Sequence, residues 1–307
     1  MYRRRRAVAL GGLTGVLVLA VLGVRACGSD APGAEKGSAG DAAPRALTLP
    51  GGGRRIFPAR RVVAFYGAPQ SDALGALGIG TPAHAAARLT RVARRYATQQ
   101  RPALPAFELI TTIAAGGPGD DGLYRNHQPA ATIDRYLKAA RKAKALLLLD
   151  IQPGRGDFMS EALRLERWLR EPDVGIALDP EWHVAATEVP GQTIGSVTAD
   201  EINRVSNYVA GFVAERHLPE KLFVVHQFTS AMIENKDAVL DRPGLAITMN
   251  VDGFGDRANK RAKYVQFTGE VPRFHDGFKL FFEEDTNLMT PREVLRLEPS
   301  PDLVVYE

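Results

Sequence analysis

The segment Val174-Gly175-Ile176-Ala177-Leu178-Asp179-Pro180-Glu181-Trp182-His183 passes from an apolar run into two carboxylates spaced i, i+2, then an aromatic and a histidine. Side chains alternate along an extended chain, so Asp179 and Glu181 are expected to share one face. Two acids side by side at the end of a buried strand repel each other and resist desolvation. Folding alone gives little reason to put them there. The chemistry they suit is that of an active site driven by carboxylates.

Positioning such a pair needs a scaffold, and the chain from Arg61 onward alternates between strand-like and helix-like segments. Strands are expected over 61–66, 106–114, 145–151, 174–178, 221–227, 245–250, 277–282 and 302–306. Helices are expected over 82–99, 132–144, 157–170, 198–216, 230–240, 257–263 and 291–297. Thr198 stands three residues before Glu201, the spacing of a capping box at a helix start. Strands alternating with helices imply a mainly parallel sheet. Eight strands in the 247 residues from 61 to 307 fit a (β/α)8 TIM-type barrel, which typically takes about 250. The competing open sheet lacks support, because no Gly-rich phosphate-binding loop follows the first strand.

In a barrel, active residues sit at the C-terminal ends of the strands. Those ends supply Tyr66, then Asp150 and Gln152, then Asp179, Glu181, Trp182 and His183. They continue with His226 and Gln227, Asn250 and Asp252, and finally Glu283, Glu284 and Asp285. Glu108 falls early in the second strand and is expected at the wrong end. Asp157 and Asp256 read as helix caps or surface residues, and Asp285 reads equally well as solvated. Trp168 and Phe158 read as core, whereas Trp182, directly after the acid pair, suits stacking on a sugar ring as well as it suits the core. His183, His226 and His275 lack the short spacings of a zinc site, so no metal is expected. No Gly-x-Ser-x-Gly elbow occurs, and the single cysteine, Cys27, lies far from these segments, which disfavours serine or cysteine nucleophiles. No cofactor is expected.

The stretch Gly175–Trp182 resembles the fourth-strand signature of family-18 glycoside hydrolases, the chitinase family, whose usual form is Asp-Gly-Ile-Asp-Leu-Asp-Trp-Glu-Tyr. Met249-Asn250-Val251-Asp252 is similar to that family's Met-x-Tyr-Asp on strand six. The resemblance implies Glu181 as general acid and Asp179 as the carboxylate that orients the substrate's acetamide. It also implies that Asp252 positions the reacting sugar. Glycosidic bonds break when one carboxylic acid protonates the leaving oxygen and a second group stabilises or attacks the oxocarbenium-like centre. Closeness of the two acids is expected to help keep Glu181 protonated near neutral pH. Substrate contacts are expected from Asp252, Trp182, Tyr66, Asp150, His226, Gln227, Asn250 and Glu284. If the substrate lacks an acetamide, Asp150, Asp252 or Glu284 must act in its place. Val174 and Ala177 stand where the family carries its first two acids, and Val251 where it carries a tyrosine.

The amino terminus reads as an export signal. Arg3, Arg4, Arg5 and Arg6 precede an uncharged, mostly apolar stretch from Ala7 to Val24, and Cys27 follows in Val24-Arg25-Ala26-Cys27-Gly28. Positive charge before such a stretch predicts a cytoplasmic N-terminus. The site resembles a bacterial lipoprotein cleavage site with Cys27 as the lipidated residue, and a signal anchor or plain secretion are the alternatives. All three place the folded part outside the cytoplasm. Residues 1–27 are therefore expected to target or anchor the chain, 28–60, rich in Gly, Ala, Pro and Ser, to form a flexible linker, and 61–307 to form the barrel. Residues 1–60 hold ten Lys/Arg against three Asp/Glu, whereas the remainder holds 29 against 32. The folded part is thus mildly acidic, and nucleic-acid binding loses its electrostatic basis.

Two functions fit these features. One is an extracytoplasmic glycoside hydrolase acting on a cell-wall or environmental polysaccharide. The other is a non-catalytic carbohydrate- or wall-binding barrel that kept the groove and lost the chemistry, which Val174 and Ala177 favour. A third, a barrel that docks a protein partner, requires a large exposed apolar patch.

Overall fold

A computed structural model describes residues 47–268 and 270–307. The expected targeting segment, with Cys27, and the first part of the expected linker lie outside these residues. Among the described residues no helix is long and apolar enough to cross a membrane.

Eight parallel strands close into a barrel. They are β1 (Arg61–Gly67), β2 (Ala103–Ala114), β3 (Leu146–Ile151), β4 (Val174–Leu178), β5 (Lys221–Gln227), β6 (Leu245–Val251), β7 (His275–Leu280) and β8 (Leu303–Tyr306). Each pairs in parallel with its neighbours in sequence, and β8 pairs with β1 to complete the ring. A short strand, Arg125–His127, adds antiparallel to the end of β2. The helices outside the ring are α1 (Pro82–Arg94), α2 (Ala130–Lys142), α3 (Phe158–Arg164), α4 (Glu166–Leu169), α5 (Ala199–Glu215), α6 (Arg257–Thr268) and α7 (Pro291–Val294). The expected (β/α)8 barrel is the fold observed.

Period-2 alternation sorts the strand residues into two cores. Val63, Phe107, Leu147, Ile176, Phe223, Ile247, Phe278 and Val304 face outward and pack beneath the helices. Val62, Ala64, Leu104, Ala106, Leu148, Ala177, Leu222, Val224, Ala246 and Val305 fill the interior. Two inward glycines make room for larger neighbours. A Cβ on Gly175 would lie 2.4 Å from the Leu222 carbonyl oxygen, and one on Gly277 would lie 2.6 Å from Asn250 Oδ1.

The helix starts follow the expected local chemistry. Thr198 and Glu201 form a complete capping box on α5, Thr81 caps α1, and Asp157 caps α3. Trp168 and Phe158 are core residues, as expected.

Three expectations need correction. The linker expected over 28–60 does not reach residue 60, because residues 47–60 pack against the barrel. Leu49, Ile56 and Phe57 are buried with the interior core, and the amides of Ile56 and Phe57 donate to Glu220 Oε2 at 2.5 and 3.2 Å. Apolar side chains are needed at this end because the interior of a barrel must be closed off from water at its N-terminal mouth. The helix expected over 230–240 is instead two single 3-10 turns, Ser230–Met232 and Lys236–Ala238. Ile233–Glu234 pairs between them with Val197–Thr198, and Asn235 takes a left-handed conformation, φ 55°. Finally, β7 begins and ends two residues earlier than expected.

Candidate active site

The inward positions at the C-terminal half of the barrel are polar. Tyr66 from β1, Glu108 from β2, Asp150 from β3, His226 from β5, Asn250 from β6 and Lys279 from β7 point into one layer. Asp179, directly after β4, Asp252, directly after β6, and Glu307, after β8, join it through the contacts below.

Two chains of contacts run through this layer. In the first, Gln152 Nε2 donates to Tyr66 Oη at 2.8 Å, and Tyr66 Oη donates to Asp179 Oδ2 at 3.2 Å. In the second, His226 is held from both sides, with Nε2 3.0 Å from Glu108 Oε1 and Nδ1 2.9 Å from Asp252 Oδ2. Lys279 Nζ donates to the same Asp252 oxygen at 2.9 Å, approaches Glu307 Oε2 at 2.8 Å, and lies 3.8 Å from the centre of the Tyr66 ring. That last contact is a cation–π interaction in a site without water's screening, and it ties the two chains together.

The electrostatics follow from burial and neighbours. Burial, reinforced by the charge of Asp179, pushes the Asp150 carboxyl well above the usual carboxylate range. Burial also raises Asp179, against the pull of His226 and Lys279. For Asp252 burial works in the same direction but loses to Lys279 and His226, which hold it far below its ordinary range. Burial disfavours charge on His226 and Lys279, but the surrounding carboxylates outweigh it and raise both groups well above their ordinary values. The layer thus contains Asp252, held toward its anionic form by two cationic neighbours, and two carboxyls, Asp150 and Asp179, shifted the opposite way. Carboxyls separated in this way by their environments are the arrangement from which acid and base roles are drawn.

Not every expected site residue enters this layer. Asp179 does, but the extended backbone assumed to carry Glu181 to the same face ends at Leu178. Pro180–Trp182 is a 3-10 turn, which places Glu181 and Trp182 at the rim, both half-buried. Pro180 accounts for this, since it lacks the N–H that would continue the ladder. Trp182 lies against Gly191 of the following loop, where a Cβ would come within 3.4 Å of its ring. Gln227 faces away from His226 on β5, and its Oε1 accepts from Lys236 Nζ at 2.6 Å. Glu284 is half-buried in the loop after β7, two residues farther from the strand end than the sequence implied. Asp285 is buried and structural, binding Lys260 at 3.0 Å and the amides of Gly255 and Phe281. His183 latches the loop after β4 through Nδ1 on the Ser196 carbonyl oxygen, at 2.6 Å.

Three members of the layer were not expected. Glu108 is level with Tyr66 because β2 starts at Ala103, three residues earlier than the pattern suggested. Lys279 was hidden in an apolar run, although its spacing of two from Gly277 already placed it on the same face. Glu307 follows β8 as Asp179 follows β4.

The layer is closed. Glu108, Asp150, His226 and Asn250 are 0% exposed and Asp179 is 2% exposed. Glu181 at the rim is half-buried, outside this closed layer.

No protein-family model and no curated protein matches the sequence. Among solved structures the chain is similar to a spore coat polysaccharide biosynthesis protein from Bacillus subtilis, with 12% identity and a TM-score of 0.43, over 80% of this chain and 59% of that one. It is also similar to a GH18 chitinase from the chitin utilization locus of Flavobacterium johnsoniae, with 9% identity and a TM-score of 0.39, over 80% of this chain and 87% of that one. The chain therefore spans less than two thirds of the first of these proteins.

Proposed function

We propose that this protein is a carbohydrate-active barrel of glycoside hydrolase type that works outside the cytoplasm by carboxylate acid/base chemistry. The observation that carries the proposal is Asp179. It sits at the C-terminal end of β4, inside the ring, with Oδ2 held by Tyr66 and Oδ1 lacking a hydrogen-bond partner. A buried, half-satisfied carboxyl costs stability, about 1–3 kcal/mol for a neutral group, and such costs are typical of functional sites.

In this mechanism Glu181 at the rim protonates the glycosidic oxygen. Asp179 below it orients the attacking group or stabilises the positive charge that develops at the anomeric carbon. Asp252, kept anionic by Lys279 and His226, adds negative potential to the same region. Asp179 is 2% exposed, so it meets a sugar only when the segments covering it open during turnover. Arg3–Arg6, the apolar stretch Ala7–Val24 and Cys27 support export and attachment to the cell membrane, by lipidation or as a signal anchor.

Closure of the layer favours a second function, a non-catalytic glycan-binding barrel. Incubating the full chain with chitin oligomers, peptidoglycan and mixed glycans separates the two. Release of reducing ends that Glu181→Gln abolishes supports the hydrolase. Co-sedimentation with a glycan, without release and unchanged in Glu181→Gln, supports the binding barrel.

A further inference from the structure

We propose that Glu108, Asp150 and His226 form a divalent-cation site inside the barrel, one that does not depend on whether the protein cleaves glycans. One ligand atom from each residue lies within 4.8 Å of the others, and all three side chains are fully buried. Neither carboxylate oxygen of Asp150 has a hydrogen-bond partner, and Glu108 Oε2 has none either. Asp150 Oδ2 points into the cluster, 3.8 Å from His226 Nε2.

The histidine is prepared from behind. Asp252 Oδ2 accepts from Nδ1 at 2.9 Å and is itself fixed by Lys279. A carboxylate on one ring nitrogen sets the tautomer and turns the other lone pair toward a metal. Here Nε2 faces Glu108 Oε1 at 3.0 Å. Two acceptors at that distance repel unless positive charge lies between them. A proton on Nε2 answers Glu108 but leaves both Asp150 oxygens without a partner. A divalent cation satisfies all three groups at once. It also offsets the excess of carboxylates over Lys279, the buried cation that remains when His226 gives up its Nε2 proton to bind metal.

The donor set of two carboxylates and one imidazole, without thiolate, suits Zn2+ or Mn2+ better than an all-oxygen Ca2+ cage. The ligands come from β2, β3 and β5, so no short sequence spacing announces them. The earlier expectation of no metal rested on such spacings.

The test uses the full chain, stripped with a chelator and dialysed against Zn2+ or Mn2+, with bound metal measured per chain. The proposal expects about one equivalent, an affinity reduced about tenfold or more in Asp150→Asn, and no change in Asp120→Asn on an exposed loop. Circular dichroism establishes that Asp150→Asn is folded, and Glu108→Gln replaces it if it is not. Pulsed electron paramagnetic resonance on the Mn2+ form should show coupling to an imidazole nitrogen that His226→Gln removes. Less than about a tenth of an equivalent, unchanged binding in the folded ligand variants, or no nitrogen coupling in the wild type overturns the site. Loss of hydrolysis in Glu181→Gln with metal content intact bears on the proposed function alone.

Discussion

Lys279 is the counter-charge that lets several carboxylates share the inside of one barrel. Its ammonium bridges Asp252 and Glu307 and covers the Tyr66 ring, all within a layer that water barely reaches. Removing one partner of a buried ion pair leaves the other charge uncompensated, which costs about 3–5 kcal/mol. Lys279→Met is therefore expected to lower unfolding stability by about that amount, read from the urea midpoint at unchanged slope. A loss below about 1 kcal/mol, the range of exposed pairs, would mean that the ammonium is solvated. Tyr66, Asp150, Asp179, His226, Asn250 and Asp252 were legible in the sequence because polar residues at strand ends converge in any barrel. Lys279 was not, because a lysine within Gly277-Phe278-Lys279-Leu280 looks like an interruption until the barrel's interior is known to be polar there.

At the scale of elements, the extension of β2 past the ring shows how one carboxylate can serve structure alone. Glu161 of α3 accepts from Thr112 Oγ1 of β2 at 2.9 Å and from Arg125 Nε at 2.6 Å, and it contacts His127 Nε2 at 2.8 Å. Arg125 and His127 belong to the short strand beside β2, so Glu161 pins that strand to the helix. Burial disfavours its charge, but the hydrogen bonds from His127, Arg125 and Thr112 prevail and lower its pKa from 4.5 to about 2. A carboxylate depressed in the folded state contributes stability that is complete above its unfolded value and disappears as pH falls through the folded one. Stability should therefore decline between about pH 4.5 and 2, and Glu161→Gln should flatten that decline in denaturation measured across the window. An equal slope in the variant would assign the acid sensitivity elsewhere. Element types were mostly legible, because period-2 apolar runs separated by capped helices define β/α units. Failures came where tertiary contacts override local pattern. Lys236 is buried against Gln227 and Glu270 and fixes 3-10 turns where the sequence suggested a helix.

For the whole molecule, the ring needs both ends sealed, and the segment before β1 seals one of them. Phe57 is 1% exposed, packs with the interior core, and lies tilted against His275 with ring centres 4.5 Å apart. Phe57→Ala should cost about 3–5 kcal/mol, as large-to-small changes in cores do, and should do so without altering any glycan binding at the opposite mouth. A loss under about 1 kcal/mol would show that residues 47–60 are loosely attached. Composition hid this plug, since the Gly-rich stretch before Arg54 reads as linker and only Leu49, Ile56 and Phe57 betray a packed role. At the other mouth, the claim on which the functional account turns is that Glu181 and Asp179 act together on a glycan. The most direct measurement is the initial rate of reducing-end release by the full chain and by its Glu181→Gln and Asp179→Asn variants on one responsive substrate. Each substitution is expected to lower the rate about 10²–10⁴-fold while the fold is retained. Wild-type rates in both variants, or no release from any glycan by the wild type, would contradict it.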